Sequence, residues 1–168
     1  MKKTLIALLF FLLSYTASVA QVESGTFNIL LKTMLHETVP TISVSDLSKK
    51  KADNIVFLDA REKGEYNVSH LKNAKWIGFE DFDLARVNGI DKNAEVVIYC
   101  SIGVRSEKVG EKLMAAGYTN VKNLYGSIFE WVNQGHSVYD LAGKPTPKVH
   151  AYNKKWGVWL NEGEKVYE

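Results

Sequence analysis

The sequence predicts an α/β domain with a mostly parallel central sheet of about five strands flanked by helices. Three observations predict it. Ile55-Val56-Phe57-Leu58 and Val96-Val97-Ile98-Tyr99 are continuous apolar runs, as expected for strands buried on both faces. Val109, Leu113 and Ala116 recur at helical spacing after the second run, so that segment turns one apolar face inward. Strand-like and helix-like segments alternate along the chain, which is the order of a parallel sheet with helical crossovers.

Each element follows in order. Residues 21–38 carry Ile29, Leu30, Leu31, Met34 and Leu35, the pattern of a short amphipathic helix. After Pro40, residues 41–44 read as a short strand, and Ser45 as the N-cap of a helix reaching about Lys51. Ile55 to Asp59 is the first buried strand, Glu62 to Tyr66 one or two helical turns, and Ala74 to Ile77 another short strand. A short helix is expected over Glu80 to Val87, ending near Asn88-Gly89. Glu95 to Cys100 is the second buried strand, and Val104 to Ala116 the helix after it, with Gly117 placed to end it. Asn120 to Leu124 is the next strand. Ser127-Ile128-Phe129-Glu130 has the spacing of a capping box, so a helix should run to about Gln134, with Gly135 beyond. Residues 139–148, with Pro145 and Pro147, read as a linker. Val149, Tyr152, Trp156, Trp159 and Leu160 would share one face of a C-terminal amphipathic helix packed on the domain.

The first twenty residues read as a signal peptide. Met1-Lys2-Lys3 is a basic start, Leu5 to Leu13 a nearly unbroken apolar run, and Ser18-Val19-Ala20 supplies small residues before a cleavage site. The apolar run is short for a membrane span. The expectation is therefore an exported protein, periplasmic or secreted, with no stable membrane insertion after cleavage. Of 21 basic residues, Lys2 and Lys3 would be lost, leaving 19 against 19 acidic ones. That balance, with no basic stripe, argues against a nucleic-acid partner. The expected organisation is an N-terminal extension over 21–38, one domain over 39–138, and the linker with its helix over 139–168.

Cys100 is the only cysteine. Exported proteins tend to use cysteines in pairs, so a single one is a reactive thiol, an intermolecular link or an inert buried residue. Its setting favours the first. It ends an apolar strand, where open α/β sheets bind their ligands. It also opens the glycine-containing segment Cys100-Ser101-Ile102-Gly103-Val104-Arg105-Ser106 ahead of a helix. Loop N–H groups and the positive end of a helix favour a negative charge, and so the nucleophilic thiolate. His36, His70, His136 and His150 show no metal-ligand spacing, so no metal or cofactor is expected.

Several motifs together resemble the rhodanese family. Asp59-Ala60-Arg61-Glu62, Glu65-Tyr66 and His70-Leu71-Lys72-Asn73-Ala74 look like its amino-terminal signature, and Cys100 to Ser106 like its active-site loop. Gly117-Tyr118, Val121, Leu124, Gly126-Ser127 and Trp131 match the later half, so the resemblance covers roughly residues 39–136. It implies a single-domain sulfurtransferase in which Cys100 attacks a sulfur donor, holds the sulfur as a persulfide and passes it to a thiophilic acceptor. Donor and acceptor would be small molecules or proteins.

In that frame the amides of Ser101, Ile102, Gly103, Val104 and Arg105 would cradle the negative charge, and Gly103 would permit the turn. Arg105 would either lower the thiol pKa or bind an anionic donor, or else clamp the loop through carbonyls or a carboxylate. Asp59 and Arg61 would form a structural ion pair, and His70 would be a hydrogen-bonding residue at a turn. Four residues separate Cys100 from Arg105. Related phosphatases have one more, which favours sulfur over phosphate or arsenate. The uncharged Ser101, Ile102 and Val104 suit a protein or low-molecular-weight persulfide better than thiosulfate. The alternatives are a non-turning-over binding or redox-sensing module and, lower, a phosphatase or arsenate reductase.

Overall fold

The structure is a computed structural model that describes residues 22–167. The expected signal peptide lies outside them. The central sheet holds β1 (Thr41–Ile42), β2 (Ile55–Asp59), β3 (Lys75–Trp76), β4 (Glu95–Tyr99) and β5 (Val121–Leu124). All pairings are parallel, in the order β1-β5-β4-β2-β3. β4 is therefore the middle strand, in register with β2 from Ile55–Glu95 to Asp59–Tyr99.

The apolar runs are buried on both faces, as their composition predicts. Phe57, Val97, Tyr99 and Leu124 pack with Phe27 and Leu31 of α1 (Gly25–Met34) and Ile128 and Phe129 of α5 (Ser127–Asn133). Leu58, Val96 and Ile98 face the other way, onto Val109 and Leu113 of α4 (Val104–Ala115) and Tyr118. The side-chain alternation of a strand divides one continuous run between two cores. Every residue from Val96 to Tyr99 is fully buried.

Several boundaries differ from the expected ones. Ser43, not Ser45, caps α2 (Val44–Ser48), its Oγ accepting from the Asp46 amide at 3.0 Å. The capping box forms instead at α3 (Lys63–Val68), between Glu62 and Glu65. The helix expected over 80–87 is a 3-10 turn, Leu84–Val87, capped by Asp83. At α5 the Ser127 box does not form: Gly126 is the N-cap at φ +74, and Glu130 turns inward to accept from the Glu23 amide at 2.8 Å. A Cβ on Gly126 would lie 2.6 Å from that of Glu130, so the position needs glycine for space as well as conformation.

The C-terminal amphipathic helix is overturned. Residues 138–166 instead form β6 (Val138–Tyr139) antiparallel to β7 (Pro145–Thr146), then β8 (Lys148–His150) parallel to β9 (Glu164–Val166). Between β8 and β9 the chain makes turns and a 3-10 segment, Gly157–Trp159. Tyr152 has φ +62, which breaks a helix, and the Asn153 carboxamide accepts from the Trp156 amide at 3.1 Å. The apolar residues still reach the core. Val149 and Leu160 are fully buried, and Trp159 stacks on Phe27 with ring centroids 5.5 Å apart. The two flanking segments thus pack on each other, on the same face of the sheet. Among the described residues no helix is long and apolar enough to cross a membrane.

Candidate functional site

Cys100 follows the last residue of the middle strand, so the sheet delivers its thiol to the centre of the carboxyl edge. The loop after it is held from behind by its carbonyls. The Cys100 and Ser101 carbonyls accept from the first amides of α5, Ile128 and Phe129, both at 3.2 Å. The Gly103 carbonyl accepts from Asn123 Nδ2 at 2.9 Å and from the Glu107 amide at 3.0 Å. Ser127 ties the strand end as well: its hydroxyl accepts from the Cys100 amide at 3.1 Å and donates to the Leu124 carbonyl at 3.1 Å. With these carbonyls turned outward, the Gly103 and Ser106 amides are left to face the sulfur. The Gly103 amide donates to Cys100 Sγ at 3.1 Å.

That geometry needs Gly103 at φ +122, with Leu35 side-chain carbons 3.3 Å from where a Cβ would stand. Gly103→Ala is expected to cost about 1–3 kcal/mol of stability. It should also raise the thiol pKa by displacing the amide. Denaturant unfolding and the pH dependence of thiol alkylation measure the two effects.

Cys100 is 1% exposed, yet it lines a cavity of about 170 Å³ that opens between the loop and the flanking segments. Burial alone would push the thiol pKa up. The Arg105 guanidinium, the Ser106 hydroxyl and the Ser106 and Gly103 amides outweigh it, and the thiol is held below its ordinary value. Ser106 Oγ also stands 2.7 Å from Asn123 Oδ1 and 3.1 Å from the Gly103 carbonyl. One hydroxyl proton serves one acceptor at a time, so these oxygens compete with the sulfur for it.

Arg105 fills two of the roles that the sequence left open. It lowers the thiol pKa, and it clamps the loop to a carboxylate. Nη1 and Nη2 donate to Glu65 Oε2 and Oε1 at 2.6 and 2.8 Å, and Nη2 also to Ser101 Oγ at 2.9 Å. Ser101 Oγ in turn lies 3.1 Å from Glu65 Oε1, so that side chain faces the clamp. Burial would raise the Glu65 carboxyl, but Arg105 and Arg61 hold it below the usual range. Ile102 is buried and Val104 half-buried, and both line the cavity.

Asp59 and Arg61 are wholly buried, and neither lines the cavity at Cys100. Arg61 Nη2 donates to Asp59 Oδ2 at 2.7 Å and to the Ser69 carbonyl at 2.6 Å, and Arg61 Nε to Asp59 Oδ1 at 3.0 Å. Burial would lower the Arg61 pKa, but Asp59 holds it above its ordinary value. The pair fastens the end of β2 to the segment after α3. His70 sits at the turn expected: its backbone pairs with Tyr139, Nδ1 lies 3.2 Å from the Tyr66 carbonyl, and its ring stacks on Tyr66.

Sequence reasoning assigned no site role to Glu65, Ser106 or Asn123, read Ser127 only as a helix cap, and placed none of Met34, Tyr152 and Trp156 in the cavity wall. Glu65 had a signal: an acid at the third position of a helix is a capping residue. The others depend on contacts between distant segments.

Known proteins resemble this chain in sequence or in fold. A sulfurtransferase of Allochromatium vinosum is 32% identical over 99 residues, covering 58% of this chain and 92% of its own. A tRNA uridine(34) hydroxylase of Hamiltonella defensa is 30% identical over 123 residues, covering 70% of this chain. The chain spans about a third of the length of such hydroxylases, 33% in that case. Among solved structures, a rhodanese-related protein from Thermoplasma volcanium has a TM-score of 0.52 at 24% identity, covering 59% of this chain and 96% of its own. Thiosulfate sulfurtransferase from Pseudomonas aeruginosa has a TM-score of 0.55 at 19% identity, covering 74% of this chain and 24% of its own. These structural likenesses concern the fold. The family model described as "Rhodanese-like domain" matches residues 43–134, more than half of the chain, and the protein belongs to that family.

Proposed function

We propose that the protein is a sulfurtransferase that carries sulfane sulfur as a persulfide on Cys100, from a donor to a thiophilic acceptor, in the periplasm or outside the cell. The observation that carries this reading is the Gly103 amide on Cys100 Sγ at 3.1 Å, beside Arg105, in a thiol whose pKa is lowered despite full burial. The thiolate attacks the outer sulfur of a donor. The donor's sulfur–sulfur bond breaks, and its electron pair leaves with the donor's remaining fragment. The bound persulfide keeps the negative charge on its outer sulfur, where inward amides stabilise it. An acceptor thiolate attacks that outer sulfur and releases Cys100 as thiolate. Neither half needs a metal, an outside electron or a general base.

Name and sequence support come from the Allochromatium vinosum sulfurtransferase, nearly all of whose length this chain matches. The hydroxylases are longer proteins, and the shared part is a minor share of each. Intact mass after incubation with a thiosulfonate or persulfide donor tests the reading. The expected result is a gain of one sulfur atom, mapped to the peptide holding Cys100 and lost on adding an acceptor thiol. A protein that gains no sulfur from any donor refutes it and leaves a binding module.

A further inference from the structure

Two segments outside the family match meet over Cys100. Met34 comes from α1, before residue 43, and Tyr152 and Trp156 come from the turns after β8, beyond residue 134. With Ile102 and Val104 they wall the cavity of about 170 Å³. Among the described residues Arg105 is its one cationic lining residue, and that cation is already engaged. Both Nη atoms are on Glu65, and the guanidinium carbon lies 5.1 Å from the centre of the Tyr152 ring. Lys155, whose Nζ is 5.8 Å from the Trp156 ring, does not line the cavity. A small dianion entering here would have to compete with a carboxylate held at 2.6 and 2.8 Å. An apolar group needs no such exchange and gains by leaving water. A dry apolar cavity of about 150 Å³ is large enough to hold benzene.

We propose that this wall selects the donor: the site takes sulfur from a donor whose leaving group carries an apolar or aromatic body, in preference to the thiosulfate dianion. This rests on the sulfur-carrier reading above. With an organic thiosulfonate anion, the Cys100 thiolate bonds to the terminal sulfur as that sulfur's bond to the sulfonyl sulfur breaks. The electron pair leaves with the organic sulfinate. One anion is consumed and one released, the persulfide keeps the second charge, and no proton moves.

Benzenethiosulfonate and methanethiosulfonate test the wall, because they share a reacting group and a charge and differ by a ring against a methyl. Each loading rate, read by intact mass, is divided by the rate of the same donor with a small free thiol. Wild type should then favour the phenyl donor on the order of ten-fold or more, with thiosulfate slower than either. Tyr152→Ala and Trp156→Ala should each shrink the phenyl-to-methyl ratio several-fold. Tyr152 is 46% exposed, so its variant keeps the test valid if Trp156→Ala does not fold. A wild-type ratio near one, a ratio unmoved by a folded variant, or thiosulfate as the fastest donor overturns the wall and leaves the sulfur carrier standing. Loading from none of the three donors overturns the wall, and failure with a persulfide donor as well overturns the carrier reading.

Discussion

Cys100→Ser is expected to take up no sulfur from any donor under conditions where wild type gains one atom. The loss should be complete, because the chain has no second cysteine to substitute. It should also be chemical rather than structural. Serine has nearly the same shape, and its oxygen can still accept from the Gly103 amide that now meets Sγ at 3.1 Å. A hydroxyl is far too basic to ionise where a thiol does, so the nucleophile disappears while the loop remains. Intact mass reads the loss, and thermal unfolding shows whether the fold is kept. Sulfur on the serine variant would mean that another group carries it.

Asp59→Asn is expected to destabilise the fold by about 3–5 kcal/mol. Both partners of the pair are wholly buried, and Arg61 Nη1 already has no hydrogen-bond partner. Removing the carboxylate charge leaves a guanidinium in the core without its hydrogen-bonded counter-charge. The denaturant midpoint should fall with the slope unchanged. Replacing both residues, as in Asp59→Leu with Arg61→Met, should cost less than the sum of the single changes, because the double variant buries no unpaired charge. Since neither residue of the pair lines the cavity, residual folded Asp59→Asn should still load sulfur on Cys100.

Glu65 links stability to pH on the acid side. Its folded pKa is depressed, so its contribution is complete above the unfolded carboxylate range and is lost as pH falls through the folded value. Loss of that charge also frees Arg105.

Much of the fold was legible in the sequence. β2 and β4 announce themselves because strands buried on both faces need unbroken apolar runs, and α4 because its inward face repeats at helical spacing. The loop from Cys100 to Arg105 was legible because its chemistry is local. Glu65 was not, because its bond to Arg105 joins residues forty positions apart. Ser127 was misread as a helix cap: its hydroxyl is taken by the Cys100 amide instead. The tail was misread because Val149, Tyr152, Trp156 and Trp159 repeat as a helix would. Burial of Val149 and Leu160, with Tyr152 at positive φ, satisfies the same apolar pattern by a turn. A spacing pattern records which residues are apolar, and tertiary contacts decide how they reach the core.

Inward amides and an adjacent guanidinium outweighing full burial is the point on which the chemistry turns. The rate at which uncharged iodoacetamide alkylates Cys100, followed against pH, measures it directly. The rate midpoint in the folded protein should lie below that of the same chain unfolded in denaturant, because the native state releases the proton more readily. It should move upward in Ser106→Ala. A folded-state midpoint at or above the unfolded one would contradict the account.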